Sequence, residues 1–384
     1  MPTSWPALAR IALKAAALFA ALNLLFAWLY PVEALGRLSL YNWLIPGRLR
    51  LPYGEQPAES YNLSLNNVPG MLASHAISRP KAADEFRLVV IGDSGAWGWL
   101  LEFEDTLAGQ LNRLGLTAPG GRRVVAYNLG YPILALTKDA LWLHEALAFE
   151  PDLILWPLTL ESFRPEQQLA HPLLQHNPGR VRALIERHGL KLDPADPRFV
   201  EPGFWARTLV GQRRPLADLL RLQLYGFSWA ATGVDQATPR GISLRQSDFE
   251  ADLSWGTHEG PAELSAADLA FDALAAGVAE AGAVPLLVVN EPIFISAGRN
   301  SDLRFNAWYP RWAYDQYRDL LATEMMAHAG AAGGRPAALI YLDLWDAVAP
   351  AEFTDSPVHL TPRGTQQFAA QLAEATGRLA AASR

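Results

Sequence analysis

Two short stretches, far apart in this sequence, hold the residue types that nucleophilic catalysis requires. Gly92-Asp93-Ser94-Gly95 presents a serine hydroxyl in a run of small residues. Thr354-Asp355-Ser356-Pro357-Val358-His359-Leu360-Thr361 presents a histidine with an acid just before it. A serine becomes a useful nucleophile when a base within hydrogen-bond reach takes its proton, and the base needs an acceptor on its second ring nitrogen. Ser94, His359 and a nearby acid supply the three types. Asp355 is the preferred acceptor; Ser356, Asp343 and Asp346 are the alternatives, and a neutral hydroxyl would stabilise an imidazolium less than a carboxylate. Each stretch also has a plainer reading, with Ser94 as the N-cap of an ordinary turn and His359 as a packing or capping residue.

The elements that must position these residues favour the chemical reading. Phe86–Ile91 (FRLVVI) is a short β-branched run ending at Gly92, hence a buried strand. Further strands are expected at Val124–Tyr127, Leu153–Trp156, Pro285–Val289 and Ala338–Leu342. Helical patterns cover Thr106–Leu114, Ala135–Phe149, Ala266–Ala281, Ala313–Ala329 and Gly364–Ala382. Strands alternating with helices predict an α/β fold whose parallel sheet is covered on both faces. Ligands of such sheets bind outside the carboxyl ends of the strands. Ser94 follows the first strand and His359 lies between the last strand and the last helix, so both fall on that edge. There the helix N-terminus offers backbone N–H groups to a developing oxyanion. Asn290-Glu291-Pro292 ends the fourth strand at the same edge. Glu291 reads either as a substrate-binding or second carboxylate, or as a loop residue paired with an arginine.

Composition bounds the remaining choices. Of 384 residues, 50% are hydrophobic and 18% charged, which excludes a disordered chain and is too polar for a multi-span membrane protein. A net charge of −7 with no basic run argues against a nucleic-acid partner. Without cysteine there is no disulfide framework, thiolate nucleophile or cysteine metal site. His144, His171, His176, His188, His258 and His328 lack metal-ligand spacing, and no phosphate- or dinucleotide-binding fingerprint is present, so neither metal nor cofactor is expected. The 13 tryptophans fit a Trp-rich core better than a glycan- or lipid-facing groove. The aromatic run Asn306–Tyr317, which holds Arg311, reads as packing in preference to stacking on sugar rings.

Residues 1–30 form a separate N-terminal segment. Ala15–Tyr30 carries no charge, follows Arg10 and Lys14, and ends in Trp28, Tyr30 and Pro31. An uncleaved membrane anchor is preferred over a cleaved signal peptide, for which Val32-Glu33-Ala34 is a weak site, and over a buried helix. Arg37, Arg48 and Arg50 follow the segment, so the charge signal is mixed. An N-in orientation is expected, with the rest of the chain outside the cytoplasm at the cell membrane. Residues 31–85 read as an ordered stalk or wrap and 86–384 as the main domain. Residues 162–262, with helical patches at Val181–His188 and Pro215–Tyr225, read as a helical cap shaping access to the site.

The chain resembles the SGNH/GDSL hydrolase family over about 86–160 and 266–382. LVVIGDSGAWGWL (88–100) is similar to its first block and DSPVHLTPRGTQQF (355–368) to its last. The resemblance implies a three-layer α/β/α, flavodoxin-like SGNH fold and acyl-ester chemistry without metal or cofactor. Ser94 would be the nucleophile and His359 the base. For the oxyanion it points to Gly130 or Ile133 in the second block and to Thr159, which stands near the place of the family's third-block Asn. In the last block the family's Asp precedes His by three residues, where this chain has Ser356. The α/β-hydrolase alternative is set aside, because Ala96 fills the last glycine of its GxSxG elbow. The expected function is that of an anchored, exported serine esterase or acyltransferase acting on acylated envelope glycans or lipids. The alternative is a non-catalytic binding or assembly subunit working with a membrane-protein partner.

Overall fold

The computed structural model describes residues 4–45, 47–54, 63, 65–232, 246–330 and 338–382. Five strands form one parallel sheet in the order β2-β1-β3-β4-β5. They are β1 (Glu85–Val90), β2 (Arg123–Asn128), β3 (Leu153–Leu158), β4 (Leu286–Asn290) and β5 (Leu339–Asp343). This is the flavodoxin-like doubly wound order, and it brings the carboxyl ends of all five strands to one edge. There Val90 is in register with Asn128, and Leu158 with Asn290, which in turn is in register with Asp343.

The three inner strands, β1, β3 and β4, are buried along their whole length because both faces are covered. Val89, Ile154, Trp156, Leu286 and Val288 point into one cluster with the helices Leu136–Ala146, Phe271–Ala281 and Arg311–Gly330. Leu88, Val90, Leu155, Leu287 and Val289 point into the other, with Leu107–Arg113 and Pro362–Ala382. Three layers follow directly from that alternation. The aromatic run lies in the first layer, with Tyr309, Tyr314 and Tyr317 wholly buried.

One helix starts later than its periodicity suggests. Over 266–281 the regular helix begins at Phe271, because Ser265 and Asp268 close a local turn in which the backbone N–H and hydroxyl of Ser265 both donate to Asp268 Oδ2.

At the N-terminus, the 25-residue helix Trp5–Leu29 is long and apolar enough to cross a membrane, and only Asn23 and Ala27 along it are buried. The chain then forms single turns at Val32–Gly36 and Leu40–Leu44 and the helix Val68–Ser74. Between β3 and β4 run the helices Pro172–Gln175, Pro178–His188 and Arg213–Thr232. Residues 233–245 of this insertion lie outside the described residues. Pro178–His188 packs on Leu136–Ala146 and Phe271–Ala281, and Arg213–Thr232 packs on Leu40–Leu44 and Val68–Ser74.

Candidate active site

The turn that carries Ser94, the candidate nucleophile, is built by two residues with specific backbone duties. Gly92 leaves the sheet at φ +137°, where a side chain is strained, and a Cβ there would meet Ala96 Cβ at 3.0 Å and Pro157 O at 3.3 Å. Asp93 is the N-cap, its Oδ1 accepting the Gly95 N–H at 2.8 Å. Ser94 is therefore the first residue of the single helical turn Ser94–Trp97, and its hydroxyl is not used as the cap.

On the other side, the loop after β5 folds back over the same edge. Ser356 Oγ accepts the N–H groups of Val358 and His359 at 3.3 and 3.1 Å, which tightens the turn. That contraction absorbs the extra residue between acid and histidine. His359 Nδ1 lies 2.8 Å from Asp355 Oδ1, and His359 Nε2 lies 2.9 Å from Ser94 Oγ. Trp99 stacks on the buried imidazole, with centroids 5.6 Å apart and planes at 27°. Burial pushes the Asp355 carboxyl up, but the hydrogen bond and charge of His359 outweigh it and hold the group below the usual carboxylate range. An ionised Asp355 takes the Nδ1 proton as its hydrogen bond, leaving Nε2 to accept from Ser94. The other acids are occupied or remote: Asp343 accepts from Asn290 Nδ2 at 2.8 Å and from Arg318 at 2.6 Å, and Asp346 is exposed.

The remaining sequence candidates have partners of their own. Gly130 packs beneath the nucleophile turn, where a Cβ would come within 2.5 Å of Trp97 N, and its N–H donates to Asn128 Oδ1 at 3.0 Å. The Ile133 N–H donates to Tyr131 O at 2.6 Å, and the buried Thr159 hydroxyl shares a 2.8 Å hydrogen bond with Tyr309. Glu291 is buried against Gly95, and its Oε1 has no hydrogen-bond partner among the described residues. Burial, reinforced by the charges of Asp93 and Asp139, pushes this carboxyl well above its ordinary range.

Sequence reasoning passed over the cation in this cluster. The wholly buried Lys138 donates to Gly92 O at 2.6 Å and Tyr131 O at 3.1 Å, and pairs with Asp139 at 2.5 Å. It thereby ties the nucleophile turn to the loop after β2. Burial still pushes Asp139 up to about 6, and raises Asp93 as well. The available signal was a Lys-Asp pair in the first turn of the helix, directly before the apolar run ALWL. Among the described residues, no cluster of His, Asp or Glu is arranged to hold a metal ion.

No family model and no curated protein matches the chain. Among solved structures it is similar to a carbohydrate acetylesterase family member from Sinorhizobium meliloti, at 12% identity and TM-score 0.32, covering 77% of this chain and 98% of that one. It is also similar to the inhibitor-bound aryl esterase of M. smegmatis, at 13% identity and TM-score 0.32, covering 76% and 99%. At this distance the activities of those proteins do not transfer, and the chemistry follows from the geometry of the site itself.

Proposed function

We propose that this chain is a serine esterase or acyltransferase of the SGNH/GDSL kind, working through a covalent acyl-enzyme. One observation carries the reading: the hydrogen-bonded chain Ser94–His359–Asp355 at the carboxyl edge of a parallel sheet. Ser94 Oγ attacks an ester carbonyl while His359 Nε2 takes its proton, and His359 returns that proton to the leaving alcohol. Water or a second hydroxyl then attacks the acyl-serine, with His359 again as base. The first gives hydrolysis and the second acyl transfer. Asp93 takes the Gly95 N–H, so the donor proposed for the oxyanion is the backbone N–H of Ser94, at the start of that turn.

In this proposal the N-terminal helix anchors the chain in the cell membrane with the main domain outside the cytoplasm. The substrates are acyl esters of envelope glycans or lipids. A second reading, a non-catalytic binding or assembly subunit with a membrane-protein partner, draws on one observation: Gly130, Ile133 and Thr159 all spend their donors within the protein. A fluorophosphonate probe distinguishes the two. The catalytic reading expects stoichiometric labelling that is lost in Ser94→Ala; a correctly folded wild-type chain that resists the probe supports the binding subunit.

A further inference from the structure

The helix Arg213–Thr232 is apolar on two sides. Leu219, Leu222, Gly226 and Trp229 face inward, at the spacing of a buried helix face. Leu220, Leu224 and Phe227 recur at i, i+4 and i+7 on another side, and that side is open: Leu220 is 61% and Leu224 60% exposed. A helix on the surface of a soluble domain carries polar residues there. Two aromatic side chains extend the patch, Trp43 at 73% and Trp205 at 76% exposure, together with Leu40, Leu44, Phe204 and Val210. Single exposed apolar residues are ordinary, but a contiguous set marks a surface that something covers.

These pieces are joined to one another and to the N-terminal helix. The Leu40 N–H donates to Gln223 Oε1 at 2.9 Å, and the rings of Tyr41 and Phe227 meet edge-on at 6.0 Å. The Val210 N–H donates to Asn23 Oδ1 at 3.2 Å, and the Arg207 guanidinium sits 5.3 Å from the Tyr30 ring. Asn23 lies six residues before the helix end at Leu29, about 9 Å along the axis at 1.5 Å per residue. The segment 204–210 therefore reaches down beside the last turns of that helix. A helix of 25 residues is about 38 Å long against a hydrocarbon core of about 30 Å, so those turns fall at the boundary between acyl chains and headgroups. Tryptophan favours that depth, and the exposed Arg213 and Arg214 at the start of the neighbouring helix suit lipid phosphates.

We infer that Leu40–Leu44, the segment 204–210 and the outer face of Arg213–Thr232 form a lipid-facing seat, which rests in the bilayer interface beside the N-terminal helix. The inference depends on the proposed membrane anchor, and its test separates the two. Because the chain has no cysteine, single nitroxide labels can be placed on the full-length protein without background. Leu18→Cys reports the N-terminal helix, Leu220→Cys, Leu224→Cys and Trp205→Cys report the seat, and Glu374→Cys on the last helix is the aqueous reference. Each is reconstituted into phosphatidylcholine–phosphatidylglycerol nanodiscs, and accessibility to oxygen and to a nickel chelate is measured by electron paramagnetic resonance.

The expected result is a deep label at Leu18 and interfacial labels at 205, 220 and 224. Those three should be roughly tenfold less accessible to the chelate than the label at 374 and open to oxygen, as for side chains buried some 5–10 Å. Seat labels as accessible to nickel as the reference, with Leu18 still deep, overturn the seat and leave the anchor standing. Seat labels shielded from both reagents mean that a second copy of the chain covers the patch, which also overturns the inference. An aqueous Leu18 removes the anchor and the seat together.

Discussion

Replacing Asp355 by Asn tests the hydrogen-bonded chain at the link where charge matters most. The amide is isosteric and can still accept from His359 Nδ1, so the 2.8 Å contact survives while the negative charge is lost. Taking about 4 Å between the carboxylate and imidazolium charge centres and an effective dielectric constant near 20, the lost attraction is about 4 kcal/mol. At about 1.4 kcal/mol per decade, that corresponds to roughly a thousandfold slower proton transfer from Ser94. The rate constant for fluorophosphonate labelling of Ser94 reads this directly and needs no knowledge of the natural substrate. Turnover of an activated short-chain ester provides a second measure. Ser356→Ala is the control: it removes the acceptor of two backbone N–H groups and is expected to cost stability of about 1 kcal/mol per bond, with labelling within about tenfold of wild type. Labelling of Asp355→Asn within tenfold of wild type would refute the reasoning and leave a Ser–His dyad.

Two further outcomes are expected. Gly92→Ala forces a Cβ to φ +137° and against Ala96, so the chain should lose about 1–3 kcal/mol in urea unfolding; an unchanged midpoint would contradict the turn geometry. Asp139, raised to about 6 by burial, stabilises the fold fully below its unfolded pKa near 4, and that contribution is lost as pH rises through 6. Asp139→Asn should therefore flatten the stability profile between about pH 4 and 6 relative to wild type, and an identical profile in both proteins would contradict the assignment.

The sheet was legible in sequence because its strands are short apolar runs bounded by Gly and Pro, and because parallel strands buried on both faces need no alternation to be recognised. The shared edge of Ser94 and His359 follows from the parallel sheet, whose carboxyl ends all lie on one side, while the flavodoxin-like strand order was implied by the family resemblance. What escaped was set by tertiary contact. The Lys138-Asp139 pair marks a buried cation at most, and does not tell its role, since the partners Gly92 and Tyr131 come from two different strand-end loops. The fate of Thr159 depended on Tyr309, 150 residues away, whose hydroxyl it shares. The choice of Asp355 over Ser356 turned on a turn type: Ser356 is consumed by the backbone it caps, and across that tightened turn a spacing of four still brings Asp355 to His359 Nδ1.

The segment that follows the N-terminal helix connects the proposed anchor to the turn that carries Ser94, the proposed nucleophile. Arg48, Arg50 and Leu51 are all buried. The Arg48 guanidinium lies 3.9 Å from the Trp229 ring, on the inward side of the helix whose outer face forms the proposed seat. Two residues later, Arg50 donates to Gly98 O and Leu101 O at 3.0 Å each and sits 4.3 Å from the Trp97 ring, while Trp97 Nε1 donates to Leu51 O at 2.9 Å. Gly98 and Leu101 flank Trp99, the residue stacked on His359. One short run of chain thus grips the helix Arg213–Thr232 with one arginine and the loop behind His359 with the other. Arg50 holds its loop through two hydrogen bonds and a ring contact, a planar multi-point grip, and Arg48 lays its buried guanidinium on the Trp229 ring. If the seat rests on lipid, the height and tilt of Ser94 above the bilayer are set by this packing, and a swinging tether is the wrong picture of how the site meets its substrate.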